Sequence, residues 1–226
     1  MSNAFNIFCC NINDVKLVDT FYIATLNTNP LLQDSLSDIL RMEIITVISA
    51  MDNYFHKLVK DGIVEAYFQR RTRTKKWNNA TMNLENVVNF VDIENKRATA
   101  TINQIEYETE ISEFLYTYFS GIFKSLSFQQ QDKIADALSY IWTNTHKIQD
   151  IVSEINNNGY SITNSDFDTK LKLVIDQRNR IAHEADWDSI NQKRYPISHQ
   201  DVVDTTIFIY EFVRAVDGID RTMLIP

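Results

Sequence analysis

Arg178, Asn179, Arg180 and His183 fall within six consecutive positions, about one and a half turns of an α-helix. The apolar stripe Leu171, Val174 and Ile175 precedes them. A guanidinium holds phosphate oxygens through paired hydrogen bonds. An imidazole titrates near neutral pH and can move a proton. RNA carries its own nucleophile, the 2′-hydroxyl. A base that removes that proton and a cation that takes up charge at phosphorus therefore suffice, without a metal. The set points to phosphoryl chemistry, and cleavage of RNA is the reaction it suits. His183 is the candidate base or acid, and Arg178 the candidate ligand of the non-bridging oxygens. Arg180 is a second phosphate contact or the salt-bridge partner of an acidic neighbour.

Spacing sets the geometry. Asn179 and His183 are four apart and share a face, so the amide is expected to orient the imidazole. Arg178 and His183 are five apart and point about 140° away from each other. A long side chain, a helix that ends near His183, or a second copy of the segment across a two-fold axis would bring them together. A plainer reading of the same residues pairs Arg178 with Asp176 or another helix and packs His183 at a helix end. Glu184 and Asp186 can raise the His183 pKa or serve as surface acids. Asp52 and His56, also four apart, are either a surface hydrogen bond or an auxiliary polar group for the site. His146 and His199 stand alone, the latter in a capping or surface position.

Arg70, Arg71, Arg73, Lys75 and Lys76 form the densest basic cluster of the chain and are followed by Trp77. They read either as a solvated connector or as an RNA-binding patch with one ring for base stacking. The net charge of −8 opposes a broad grip on a polyanion. No Gly-rich phosphate loop and no metal-ligand spacing occurs, so neither a cofactor nor a metal is expected. Cys9 and Cys10 are adjacent and read as free thiols.

The elements that must position these groups are helical. With 226 residues, four Gly and three Pro, the chain is poor in turn formers, which favours long helices over a sandwich or barrel. The fold class expected is all-α. Leu40, Ile44, Val47, Ile48, Met51, Phe55 and Val59 mark a long helix over about 31–68, with Gly62 interrupting or ending it. A short helix is expected over Val15–Leu26, a loop over 69–80, a short helix around Val87–Val91 and an extended stretch over Ala98–Asn103. Further helices are expected over Ile105–Phe123, from about Phe128 to His146 with Ser127 as cap, and on to Asn156. Asn157, Asn158 and Gly159 make a break. Ser165 or Asp166 opens the helix that carries the motif. Trp187–Pro196 reads as irregular, and Ser198 caps a final helix. No segment reaches the roughly 20 apolar residues of a membrane span, and no signal peptide is visible. A cytoplasmic protein without membrane contact is expected.

Arg178, Asn179 and His183 match the R-N-x3-H form of the R-x4–6-H motif of the HEPN superfamily. The string Leu173 to His183 resembles the RiboL-PSP type within it. Ser198–Met223 looks like that type's closing helix, and Met51–Val59 is similar to its early long helix. The resemblance implies one helical-bundle domain over 1–226, with a core of about 31–68 and 165–222 and an insertion over about 69–160. It also implies a symmetric homodimer whose motif faces the dimer cleft, and metal-independent endoribonuclease activity. Such members serve as toxins or in defence against phage, which implies an antitoxin or a neighbouring defence protein as partner. Other members are non-catalytic modules that dimerise or bind nucleotide or RNA. The acidic balance of the chain keeps that alternative open.

Overall fold

The structure is a computed structural model and describes residues 1–123, 128 and 130–225. Its fold is all-α, with one two-residue hairpin as the only sheet among the described residues.

Helix α1 (Asn3–Thr28) opens on Ser2, whose Oγ accepts the Phe5 amide at 3.1 Å. It starts twelve residues before the expected Val15. The reason is a stripe missed in the sequence: Phe5, Phe8, Ile12 and Val15 recur at helical spacing and are buried. They pack α1 along α2 (Gln33–Tyr67), which follows a 3-10 turn at Pro30–Leu32. α2 has 35 residues and is about 52 Å long. Gly62 neither ends nor interrupts it. A Cβ at that position would lie 2.7 Å from Ile141 Cγ2, so glycine lets another segment approach the helix.

The basic segment after α2 contains a one-turn helix, α3 (Lys75–Asn78). Helix α4 (Leu84–Ala98) buries no residue completely. Residues 99–103 turn rather than extend, with Ala100 at φ 53°. Helix α5 (Gln104–Phe123) lies on α2 and buries Tyr107, Ile111, Leu115, Phe119 and Phe123. The expected cap Ser127 lies outside the described residues. Helix α6 (Gln131–Leu138) stops well short of the expected His146. There the chain turns so that Trp142 is buried and its Nε1 donates to Asp220 Oδ1 at 2.8 Å. Helix α7 (Lys147–Asn157) ends at the expected break, where Gly159 takes φ 92°.

Helix α8 (Asn164–Glu184) carries the motif and is capped by Thr163, whose Oγ1 accepts the Asp166 amide at 3.1 Å. Strands β1 (Trp187–Asp188) and β2 (Lys193–Arg194) pair antiparallel where an irregular stretch was expected. The last helix, α9 (His199–Thr222), has a full capping box between Ser198 and Asp201.

The main core joins Phe5, Phe8, Tyr54, Phe55, Phe123, Phe128, Phe208 and Phe212. Residues of α5, α6 and α7 belong to the same cluster, so these three helices of 69–160 share the core of α2 and α9. A smaller cluster of Tyr22, Leu40, Ile44, Ile181 and Val202 lies under the end of α8. No helix is long and apolar enough to cross a membrane among the described residues.

Candidate active site

Ile181 anchors the motif. It packs against Leu40 and Ile44 of α2 and Val202 of α9, which turns the neighbouring Ala182 and His183 outward. His183 is exposed and has no hydrogen-bond partner among the described residues. Arg178 and Asn179 are half-buried. Arg178 Nη1 donates to Asn179 Oδ1 at 3.1 Å, while Arg178 Nε is buried without a partner among the described residues.

This differs from the expected Asn179–His183 hydrogen bond. The amide oxygen is used by the adjacent guanidinium, so Asn179 orients Arg178 rather than the ring. Asn179 also lines a groove of about 370 Å³ together with Asp132, Asp168 and Asp176. Three carboxylates against one ammonium, Lys172, make that side unfavourable for a phosphate. Because α8 continues to Glu184, Arg178 and His183 keep their separation of about 140°. One chain alone does not bring them to a common point.

Beyond Glu184 the backbone takes two consecutive left-handed residues, Ala185 (φ 51°) and Asp186 (φ 57°). Such a pair is uncommon outside glycine and costs conformational energy. Its effect is to turn Asp186 inward. Asp186 is 1% exposed and is therefore not the surface acid that its position suggests. Its Oδ2 accepts Arg41 Nε at 3.0 Å, and its Oδ1 is 3.5 Å from Arg180 Nε. Arg41 Nη2 also donates to the Tyr195 carbonyl at 2.7 Å, and the Tyr195 amide donates to the Asp186 carbonyl at 2.8 Å. The Arg180 guanidinium lies 4.7 Å from the centre of the Tyr195 ring. Arg180 is thus the salt-bridge partner of an acidic neighbour. The network fixes the end of α8, and with it the backbone that carries His183.

Arg41 is a residue of this network that the sequence reading did not single out. Its spacing to Ile44 and Ile48 held the signal, because three and seven residues keep one face. Glu43 was missed as well. It is 1% exposed, and neither carboxylate oxygen has a hydrogen-bond partner among the described residues. Burial, helped by the nearby Asp19 carboxylate, pushes its pKa up to about 7. His199 is not solitary. Its Nε2 is 2.7 Å from Asp19 Oδ1, and its ring stacks on Tyr22 at 5.8 Å.

Asp52 and His56 do meet, with Oδ2 and Nε2 3.6 Å apart. The pair holds Phe128: Asp52 Oδ1 accepts the Phe128 amide at 2.7 Å, and the His56 ring lies 4.4 Å from the Phe128 ring. The basic cluster is divided by its contacts. Arg71 is 2% exposed and is bound by Glu65 and Asp220, so it is an internal ion pair rather than part of an RNA-facing surface. Trp77 Nε1 donates to the Ile63 carbonyl at 3.2 Å, and Arg73 covers its ring at 4.4 Å, which takes that ring from base stacking. Arg70 pairs with Glu108 at 2.7 Å, Lys76 pairs with Asp136, and Lys75 is exposed. Ile63, which holds Trp77, and Ile44, which holds the motif helix, are 19 residues apart on α2. That is about 28 Å along its axis, so the cluster and the motif are separate places on the molecule.

No family model, no curated protein and no solved structure matches the chain.

Proposed function

We propose that the chain is a metal-independent endoribonuclease of the HEPN type, active as a homodimer, with a toxin or phage-defence role. The observation that carries this reading is the exposed His183 ring near the end of the helix that holds Arg178. His183 takes the proton of a 2′-hydroxyl. The 2′-oxygen then attacks the adjacent phosphorus. The 5′-oxygen leaves with a proton from an acid, so a 2′,3′-cyclic phosphate and a free 5′-hydroxyl form. Arg178 of the second copy binds the non-bridging oxygens and takes up the developing charge. The angular separation within one chain supports a cleft shared between two copies. Leu173, Trp187 and Ile190, near the motif in sequence, are exposed apolar side chains that such a pairing would cover.

Incubation with a mixed RNA pool in EDTA tests the reading, with wild type beside His183→Ala. Cleavage by wild type, at least about a hundredfold faster than the variant, is expected for loss of a general acid or base. Equal rates, together with equal growth of cells expressing either protein, would overturn it. A second reading, a non-catalytic module that dimerises or binds nucleotide or RNA, is favoured by the Arg178–Asn179 bond, which ties two motif groups to each other. In that case Arg178→Ala weakens dimerisation or ligand binding and no turnover is found.

A further inference from the structure

A cavity of about 810 Å³ opens between residues 73–81, the end of α5 and residues 139–147. Its size falls within the range of cofactor and metabolite sites. Four cations line it, Arg73, Lys75, Lys76 and Lys147, and no Asp or Glu does among the described residues. That is notable in a chain with 30 acids and 22 bases.

The cations are poorly neutralised. Arg73 donates through Nε and Nη2 to the carbonyls of Ala66 and Tyr67, at 3.1 and 3.0 Å. These bonds aim the guanidinium and leave Nη1 without a partner among the described residues. Lys147 Nζ donates to the Asn144 carbonyl at 2.7 Å. Burial pulls the Lys147 pKa down; Asp150 and Asp136 oppose this, and the Lys76 ammonium adds to it. Lys75 is exposed and has no partner among the described residues. Among the described residues only Lys76 has a carboxylate within ion-pair distance, Asp136.

A separate observation concerns Asn144, which also lines the cavity. Its Nδ2 donates to Asp150, which fixes the amide orientation, and its Oδ1 is then buried without a donor. A buried acceptor left unpaired is costly. The rings of Tyr118 and Tyr140 complete the wall.

We propose that this cavity binds a small organic phosphate, with its anionic groups on Arg73, Lys75 and Lys147 and its carbon body against Tyr118 and Tyr140. Two sources share that chemistry, nucleoside polyphosphates and sugar bisphosphates. Inorganic phosphate satisfies the cations but brings no carbon body for the tyrosines. The site is independent of the motif on α8, so it stands or falls apart from RNA cleavage.

The test is calorimetric titration of the full chain with ATP, fructose 1,6-bisphosphate, inorganic pyrophosphate and adenosine, at low and high salt. The expected result is that ATP or the bisphosphate binds more tightly than pyrophosphate, that adenosine binds weakly, and that salt weakens the tight ligand. Which of the two binds identifies the source. Lys75→Gln, at an exposed side chain with no hydrogen bond or ion pair among the described residues, and Lys147→Gln should each raise Kd about tenfold. Neither organic phosphate binding, equal affinity for pyrophosphate, or Lys75→Gln and Lys147→Gln both binding like wild type would overturn the proposal. So would binding of a single-stranded RNA oligomer while every small ligand fails.

Discussion

Glu43 places a carboxyl with no hydrogen bond in the interior, and this makes stability depend on pH. Its ordinary value is 4.5 and its folded value about 7. Below the lower value both the folded and the unfolded chain hold the proton, and ionisation costs nothing. Between the two the unfolded chain releases it first, so stability falls as pH rises, then levels off above about 7. Glu43→Gln removes the ionisation. Relative to wild type, its unfolding free energy should improve by about 2 kcal/mol between pH 5 and pH 8. Parallel urea curves for the two proteins at both pH values would refute the buried-acid assignment. Arg41 poses the converse case, because its removal strands Asp186. Arg41→Met should cost about 3 kcal/mol, with Arg180 limiting the loss by its approach to Asp186 Oδ1. A urea midpoint close to wild type would show that Arg180 alone compensates the carboxylate. Of these groups the sequence named Arg180 and Asp186, and the salt bridge of Arg180 to an acidic neighbour was legible in it. Arg41 and Asp186 are 145 positions apart, and no local pattern connects them. The inward turn of Asp186 depends on two left-handed residues of which neither is glycine.

Helices were legible where one face is apolar over several turns. The α2 stripe and the Ser198 cap of α9 are of this kind, since burial and capping are local in sequence. The α1 stripe was equally local and was overlooked; the other failures came where a distant partner decides. α6 ends early because Trp142 reaches Asp220 of α9. Gly62 reads as a helix breaker, yet Ile141 packs into the space it leaves. That contact predicts an inversion of the usual glycine rule. Alanine at a helix interior normally gains about 1 kcal/mol, but Gly62→Ala should destabilise by about 1–2 kcal/mol through overpacking. In an Ile141→Ala background the same change should cost clearly less, because the 2.7 Å contact with Cγ2 is gone and only the Cβ at 3.0 Å remains. A thermal-melt double-mutant cycle reads this directly, and equal effects in both backgrounds would remove the steric account.

At the scale of the molecule, the motif and the basic cavity associate with opposite parts of α2. Each therefore responds to different substitutions. If two copies pair over the motif, Leu173→Glu, at a side chain 63% exposed, should weaken the dimer about tenfold and lower RNA cleavage with it. The melting temperature at fixed pH should stay near wild type, because no core contact is lost. Light scattering on a dilution series checks the first part, and an unchanged dimer would move the pairing surface elsewhere. Helix α4 has a different consequence. It is held from the side, by Phe90 and Ile93 and by Glu94, which accepts the hydroxyls of Tyr67 and Tyr107. With nothing fully enclosed, it can peel away while the aromatic centre stays shut. Its amides should be the first long stretch to exchange with deuterium. The turn at 99–103 is accordingly a natural seam for a protease cut or an inserted tag that spares both the nuclease candidate and the phosphate cavity.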